Sequence, residues 1–443
     1  MTANETRKGV YFSELTLRNV KCFRERVSLN FLNTDQSSWR KWTVILGDNG
    51  VGKTTLLQAL ASLQPLEREE QGGNDLIRYK FEYKYVTRLV GIDKGDIWAR
   101  VYGKDVQSEE DHHLYDLSTS SVGDGKGNRM PVLSYFIEES IADRLVIFAY
   151  GANRVMGDSS LTDDISIKGS LLFDEKETLI NAEEWLLQLD YAASKDSIIK
   201  ELAVKKRDQV KAALIELLPD IADVKILDPT IDQLKPSVAF QTAFGWFNIH
   251  ELSLGYRSMI AWVIDLAARM FARYPNSTNP LAEPAIVLVD EIDLHLHPKW
   301  QRNIFRYLSE RFPATQFIVT AHSPLIVQAA PEDANLVVLR KEGDTVVIDQ
   351  EIENVRKWRI DQILTSDLFG LDSARNPEVA KKMEERTALI TKATLTAEEE
   401  ATLNELNEFA QSIPTAPTPT DIEAMELIRK AAAYLKEKKD TEQ

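Results

Sequence analysis

The spacing of hydrophobic and polar residues predicts a chain that alternates between strands and helices. Alternating apolar positions over residues 12–30, and short apolar runs at 42–46, 285–289 and 317–320, are typical of strands. The run at 285–289 is apolar throughout, as expected for a parallel sheet that is covered on both faces. Strand, helix and strand follow one another in this part of the chain, which predicts an α/β layer with right-handed connections.

Helical periodicity, with apolar residues three or four positions apart, follows the run at 42–46 and returns over 182–219 and 245–271. The pattern at 182–219 predicts an insertion of helices of ordinary length, too short for a long coiled-coil arm. Beyond residue 351 the chain is charged and mostly helical. Prolines predict an extended linker at 412–420, and a helical period predicts a final amphipathic helix after it. Further strands are predicted at 77–87, 96–103 and 144–150.

Composition narrows the class of protein. With 443 residues, 44% of them hydrophobic, the chain can bury the cores of two or three domains. It contains no apolar run near the roughly 18 residues that a membrane-spanning helix needs, and residues 1–20 lack the apolar segment of a signal peptide. Cys22 is the single cysteine, so no internal disulfide can form. We therefore expect a reducing, cytoplasmic location and no membrane partner.

The net charge of −16 implies average repulsion from DNA, so that nucleic-acid binding would require a local basic patch. One cluster of basic residues could be tested for nucleic-acid binding. Acidic residues lie among its members, so a solvated helix face is the favoured interpretation. The cluster comprises Lys200, Lys205, Lys206, Arg207 and Lys211.

A glycine-rich segment after the strand at 42–46 matches the phosphate-binding loop of nucleotide-binding proteins. Its glycines let the backbone approach a triphosphate closely, and the following helix start adds partial positive charge. We expect Lys53 to reach the β- and γ-phosphates of ATP, and Thr54 to hold Mg²⁺. The predicted binding residues are Gly47, Asp48, Asn49, Gly50, Val51, Gly52, Lys53, Thr54 and Thr55.

Two acidic residues follow the apolar strand at 285–289. The strand delivers Asp290 to its carboxyl end, the edge at which open α/β sheets bind ligands. We expect Asp290 to join Thr54 in holding Mg²⁺, and Glu291 to act as the general base that polarises the attacking water. His322 follows the next apolar strand at the same edge and is predicted to be a second catalytic residue, in contact with the γ-phosphate.

A serine and a glycine stand at the start of the long apolar helix, in the segment Leu252-Ser253-Leu254-Gly255. A helix start with these residues can bind an anion. An ordinary helix cap is the simpler explanation of Ser253 when the segment is taken alone. The functional alternative counts Ser253 and Gly255 among the nucleotide-binding residues.

The order of these motifs resembles the ATPase head of ABC-type proteins in the RecF and SMC branch, and residues 13–25 resemble that branch's first strand. The resemblance implies an α/β fold with a mostly parallel core sheet and an antiparallel β subdomain, here with a helical insertion and a helical C-terminal extension. It also implies a homodimer or higher homo-oligomer, in which Ser253 of one copy meets ATP held by Lys53 of another. Leu254 departs from the family's usual glycine.

Two segments in the tail narrow the resemblance further. Residues 358–371 and 418–435 resemble the ATPase subunit of Septu-type anti-phage defence systems, which pair an ABC ATPase with an HNH nuclease. This implies an HNH nuclease partner, with DNA reached through that partner. The alternative is a RecF-like DNA repair or recombination ATPase that binds DNA directly. A transporter subunit is disfavoured, because no convincing glutamine loop follows the phosphate loop.

These inferences divide the chain into four parts. Residues 1–160 form the first half of the head with the phosphate loop and β subdomain, and 161–245 form the helical insertion. Residues 246–350 form the second half with the remaining motifs, and 351–443 form a helical extension for partner docking.

Two further features stay open. Arg154 has two open interpretations: it contacts phosphate or a partner protein, or it is a surface arginine in a turn. His295 and His297 lack a third zinc ligand at suitable spacing.

Overall fold

The computed structural model describes most of the chain between residues 9 and 413. Nearly all of the predicted linker at 412–420, the final amphipathic helix and most of the predicted strand at 77–87 lie outside the described residues. The described residues are 9–33, 38–64, 67–69, 78–80, 94–104, 112–123, 129–132, 143–158, 170–174, 176–218, 220–229, 231, 235–350, 355–392 and 394–413.

A six-stranded sheet forms the core of the first compact unit, Met1–Gly370. Its strands, in spatial order, are β16 (Thr345–Asp349), β15 (Asn335–Glu342), β3 (Trp42–Gly47), β14 (Thr315–Thr320), β13 (Ala285–Val289) and β9 (Ile147–Tyr150). The strands from β15 to β9 are parallel, and β16 is antiparallel to β15. The predicted α/β class with a mostly parallel core sheet is confirmed. Because β3, β14 and β13 are parallel neighbours, the segments that follow them meet at one edge.

An antiparallel sheet covers one face of the core sheet. Its strands, in spatial order, are β2 (Val27–Asn30), β1 (Val10–Arg18), β6 (Lys94–Lys104), β7 (His112–Gly123) and β8 (Arg129–Val132). Apolar residues of β1 and of helix α1 (Lys53–Ala61) share one hydrophobic cluster with Ile45, Ile286 and Ile318 of the core sheet. The prediction of a single strand over residues 12–30 is wrong, because Asn19 and Lys21 adopt left-handed backbone in the turn between β1 and β2. Strands β4 (Glu67–Glu69) and β5 (Arg78–Lys80) pair separately.

Helices cover the other face of the core sheet, where Trp42 stacks on Phe317 with ring centroids 4.3 Å apart. Among the described residues, the α-helices of this unit after α1 are α2 (Ala182–Ser194), α3 (Lys200–Leu217), α4 (Leu254–Arg273), α5 (Pro298–Gln301), α6 (Ile304–Arg311), α7 (Pro324–Ala329) and α8 (Ile360–Leu364). The predicted helical insertion contains α2 and α3. After α3 the same range, residues 161–245, also contains most of a small antiparallel sheet that the sequence pattern did not predict. This sheet is made of β10 (Asp223–Leu227), β11 (Ser237–Thr242) and β12 (Gly245–Asn248).

The second compact unit, Leu371–Gln443, is described as two helices, α9 (Pro377–Ile390) and α10 (Ala397–Ser412). Arg386 Nε donates to Asn407 Oδ1 at 2.8 Å and links the two. Across the described ranges of the chain, no helix is both long enough and apolar enough to cross a membrane. The structural division falls at Gly370, and the four functional parts read from the sequence stay a prediction.

Candidate nucleotide-binding site

The glycine-rich loop begins where β3 ends. Gly47, Gly50 and Gly52 have φ angles of 138°, 81° and 98°, which residues with a Cβ rarely adopt. A Cβ at Gly47 would lie 2.5 Å from the carbonyl oxygen of Leu339, and one at Gly52 would lie 2.3 Å from Sγ of Cys22. The loop therefore packs against β15 and the β1–β2 turn at distances that only glycine allows.

Lys53 opens helix α1 and folds back over the loop. Its Nζ donates to the carbonyl oxygens of Gly47 at 2.7 Å and Asp48 at 2.8 Å, and the residue is only 6% exposed. Burial lowers the pKa of Lys53, and the negative charges of Asp290 and Glu291 oppose that effect. Of the other predicted loop residues, the structure exposes Asp48, Asn49 and Gly50 and buries Val51 and Thr55.

Asp290 follows β13 and accepts hydrogen bonds from two threonines. Thr54 Oγ1 donates to its Oδ2 at 2.7 Å, and Thr320 Oγ1 donates to its Oδ1 at 2.6 Å. Mg²⁺ prefers oxygen ligands and keeps several waters, so it needs few ligands from the protein. The hydroxyl of Thr54 and the carboxylate of Asp290, already within bonding distance of each other, fit a site of this kind.

Glu291 stands beside His322 at the same sheet edge. The backbone of Glu291 is left-handed, with φ of 50°, and its amide donates to Thr320 Oγ1 at 2.7 Å. Its Oε1 lies 3.9 Å from Nε2 of His322, and both side chains are about one third exposed. The backbone amide of His322 donates to both carboxylate oxygens of Asp293, at 3.2 and 3.1 Å. A carboxylate and an imidazole, both partly exposed, thus lie next to each other close to Asp290.

The Leu-Ser-Leu-Gly segment lies against another loop of the same chain. Ser253 is the N-cap residue of α4, yet its side chain forms no cap hydrogen bond. A Cβ at Gly255 would lie 2.5 Å from the carbonyl oxygen of His295, so the segment packs closely on the loop after Glu291. Leu254 is 48% exposed. The structure therefore groups the phosphate loop with Asp290, Glu291 and His322, and it places Ser253 and Gly255 beside the loop that follows Glu291.

Two family models match this chain. The first is described as an AAA domain and matches residues 14–63, which contain the phosphate loop. The second is described as "AAA domain, putative AbiEii toxin, Type IV TA system" and matches residues 158–328, which contain the remaining motifs.

Curated relatives extend the match over most of the chain. Septu protein PtuA of Bacillus mycoides is 29% identical over 82% of this chain and 45% of its own length. Septu protein PtuA of Bacillus thuringiensis is 26% identical over 75% of this chain and 80% of its own length. This chain is similar to the Septu proteins over most of its length. The resemblance predicted from the sequence is confirmed, and the chain spans less than half of the Bacillus mycoides relative.

Other matches are shorter or looser. The Retron Ec83 probable ATPase of Escherichia coli is 38% identical over 30% of this chain and 23% of its own length. The solved SMC head bound to the C-winged helix domain of ScpA superposes with a TM-score of 0.43 at 16% identity, over 76% of this chain and 97% of that one.

Arg154 occupies neither of the environments that the sequence analysis left open. It is only 9% exposed, and its guanidinium donates to the carbonyl oxygens of Asp290 and Glu291. Burial lowers the pKa of Arg154 to about 10, against the attraction of Asp290 and neighbouring carboxylates. It is thus a buried arginine behind the acidic pair, rather than a surface residue.

The basic cluster on α3 is largely paired with acidic side chains. Arg207 Nη1 lies 3.0 Å from Asp190, and Lys211 Nζ lies 2.8 Å from Asp223. Lys206 Nζ lies 5.2 Å from the ring centroid of Phe271. The cluster is a solvated, ion-paired helix face, which agrees with the favoured interpretation of its sequence.

His295 and His297, the two histidines considered as zinc ligands, lie in the loop after Glu291. The Nδ1 atom of His297 accepts a hydrogen bond from the amide of Lys299 at 3.3 Å and caps α5. His295 is exposed and left-handed, with φ of 64°. Within the described ranges, no group of three or more His, Cys, Asp or Glu residues could hold a metal ion.

Sequence reasoning missed the role of Thr320. This residue is fully buried at the end of β14 and bonds to both Asp290 and the amide of Glu291. The available signal was a threonine that directly follows the apolar residues 317–319 and stands two positions before His322. To predict the contact of Thr320 with Asp290 from this signal, one must also know that β14 and β13 are neighbours.

Proposed function

We propose that this chain binds ATP with Mg²⁺, hydrolyses the ATP in a site that a second copy completes, and thereby controls a partner nuclease in anti-phage defence. The observation that carries the proposal is the convergence of Lys53, Thr54, Asp290 and Glu291 at one edge of the core sheet. These side chains supply a phosphate contact, a metal site and a base in one place.

The binding step uses the loop and the start of α1. Left-handed glycines let backbone amides approach phosphate oxygens, and Lys53 supplies the charge that the β- and γ-phosphates require. Thr54 and Asp290 would hold Mg²⁺, which neutralises the phosphate charge when it is bound.

In the proposed chemical step, Glu291 is the proton acceptor. Its carboxylate is partly exposed at the sheet edge, so it can accept a proton from a water that attacks the γ-phosphate. His322, whose Nε2 lies 3.9 Å from Oε1 of Glu291, would contact the γ-phosphate next to that carboxylate.

In the proposed assembly, the start of α4 of one copy contacts the nucleotide that another copy binds. The Ser253 side chain makes no cap hydrogen bond, although the first turn of a helix of 20 residues offers unpaired amides and partial positive charge. An anion presented by another copy fits this environment. The proposed assembly is therefore a homodimer or higher homo-oligomer, with Ser253 and Gly255 of one copy completing the site of another.

The partner assignment rests on the Septu relatives and on charge. We assign an HNH nuclease as partner because residues 358–371 and 418–435 resemble the tail of Septu-type ATPases and because Septu proteins match most of this chain. The net charge of −16 and the ion-paired face of α3 favour DNA contact through that partner over direct binding of the RecF type.

The experiment combines nucleotide binding, hydrolysis and phage plating. Lys53→Ala should fold normally and lose about tenfold or more in ATP affinity. Glu291→Gln should bind ATP normally and hydrolyse it at least about a hundredfold more slowly, because an amide is not a base. The exposed Lys341→Ala and Glu310→Gln serve as matched controls and should behave as the parent.

Cells that carry this chain together with the HNH nuclease proposed as its partner should resist phage, and both site variants should abolish that resistance. Unchanged ATP affinity in Lys53→Ala would refute the loop assignment, and parental hydrolysis in Glu291→Gln would refute the base. Resistance that is independent of both residues would remove the link between ATP and defence.

A further inference from the structure

The hydrogen-bond ladder between β9 and β13 ends just before the acidic pair. The amide of Asp290 donates to the carbonyl oxygen of Tyr150 at 2.8 Å, which is the last rung of the ladder. The chain then turns away at Gly151, where a Cβ would lie 2.7 Å from the carbonyl oxygen of Leu171. Beyond this point β9 has no amide to offer to the carbonyl groups of Asp290 and Glu291. The carbonyl oxygen of Glu291 accepts from the amide of Leu294 at 3.0 Å, whereas the donor for the buried carbonyl group of Asp290 must come from a side chain.

Arg154 supplies that donor from the turn itself. Its Nη1 donates to the carbonyl oxygen of Asp290 at 2.5 Å and to that of Gly151 at 3.1 Å, and its Nη2 donates to that of Glu291 at 2.8 Å. The guanidinium also lies over the ring of Trp262 on α4, 5.8 Å from its centroid. A planar fork of donors fits two successive carbonyl groups in a way that one ammonium cannot.

Glu291 is thereby held from both sides. On the β14 side its amide donates to Thr320 Oγ1 at 2.7 Å, and on the β9 side its carbonyl oxygen accepts from Arg154. Between these two bonds its backbone adopts φ of 50°, a conformation that non-glycine residues avoid unless their surroundings impose it. The direction of the Glu291 side chain depends on this backbone conformation.

We propose that Arg154 is a positioning residue, which holds the backbone of Glu291 so that its carboxylate faces the attacking water. The inference rests on the proposed function, because it takes Glu291 as the base. Arg154 does not contact the nucleotide in this arrangement, since both of its terminal nitrogens point to main-chain carbonyl groups and the residue is buried.

The test compares Arg154→Lys with a matched buried arginine. Arg269 is equally buried and donates to the side chain of Asp265 at 2.5 Å within α4. Each variant is assayed for melting temperature, for affinity toward a non-hydrolysable ATP analogue, and for single-turnover ATP hydrolysis. Arg154→Lys should keep its affinity within about threefold and lose about a hundredfold in hydrolysis rate, as a misplaced catalytic group does. Arg269→Lys should lose stability and keep its rate per folded molecule. Should Arg154→Lys fail to fold, Arg154→Gln takes its place.

A double-mutant cycle with Glu291→Gln separates positioning from other roles. If Arg154 acts through Glu291, adding Arg154→Lys to Glu291→Gln should slow hydrolysis little further, because the base is already gone. A full additional hundredfold loss would overturn the inference, as would a parental rate in Arg154→Lys alone. A fall in affinity that matches the fall in rate would show contact with the nucleotide and would overturn it too. Failure of the proposed function gives a different result, since Glu291→Gln alone would then hydrolyse ATP at the parental rate.

Discussion

Thr320 offers the sharpest test of how the site is held together. Its hydroxyl donates to Oδ1 of Asp290 at 2.6 Å and accepts from the amide of Glu291 at 2.7 Å, in a fully buried position of β14. Thr320→Val keeps the volume and the branched shape that suit a strand, and it removes both hydrogen bonds. Thr320→Ser keeps the hydroxyl and removes one methyl group. The pair therefore separates hydrogen bonding from packing.

The expected loss in the free energy of unfolding follows from the two groups that Val would leave without a hydrogen bond, the Asp290 carboxylate and the Glu291 amide. An unsatisfied buried amide costs about 1–3 kcal/mol, and a lost hydrogen bond to a carboxylate costs about 1.5–3 kcal/mol. A combined loss of about 3 kcal/mol allows for some relaxation of the site. For a unit the size of Met1–Gly370 this lowers Tm by about 4 °C. Thr320→Ser loses only the burial of a methyl group, about 1 kcal/mol, or about 1 °C.

The effect on hydrolysis should follow the same order. In Thr320→Val the Glu291 amide loses its anchor, so we expect hydrolysis at saturating ATP to fall by about tenfold or more. Thr320→Ser should stay within about twofold of the parent, because both hydrogen bonds remain. Thermal unfolding and single-turnover hydrolysis measure the two effects. Equal stability and equal rates in the two variants, or a poorer result for Ser than for Val, would refute the hydrogen-bond argument.

Two further predictions concern assembly and loop geometry. Lys53→Ala and Ser253→Arg should each be nearly inactive alone, and their mixture should recover part of the ATPase activity, because one of the two shared sites then carries neither defect. Subunit exchange without recovery would show that Ser253 acts within its own chain or only caps α4. Gly52→Ala should weaken ATP binding by about tenfold or more, because its Cβ would meet Sγ of Cys22 at 2.3 Å. Gly50→Ala has open space around its Cβ and should cost less in an ATP titration, so equal losses would contradict the steric account.

The sequence predicted the edge at which the candidate residues meet, because apolar runs marked three strands and polar motifs followed each of them. The residues after β3, β13 and β14 come together because these strands are parallel neighbours in the sheet. The chain's linear pattern contains this information, since a continuous apolar run is characteristic of a strand covered on both faces.

The sequence did not predict contacts that depend on which strands are neighbours. Thr320 looks like the last residue of an apolar run, and only the pairing of β14 with β13 brings it to Asp290. Arg154 follows Gly151, Ala152 and Asn153, and the sequence left open whether it contacts phosphate or a partner or lies on the surface. Its burial arises because β9 lies beside β13 and ends one residue before the acidic pair. The local periodicity of the sequence does not show that β14 pairs with β13 or that β9 pairs with β13.

The side chains proposed to hold Mg²⁺ and ATP already bond to one another, and this affects where binding energy can come from. Lys53 bonds to loop carbonyl groups and Thr54 to Asp290, so phosphate and metal must compete with existing hydrogen bonds. A replaced bond contributes less than a new one, because only the difference between the two counts. Ser253 differs, since its side chain forms no cap hydrogen bond and its helix start offers unpaired amides. Contacts made by the start of α4 of a second copy would therefore add more net stabilisation than exchanges within one chain. On this reasoning ATP should bind a single copy modestly, and it should bind more tightly as the concentration of the chain rises and pairs form.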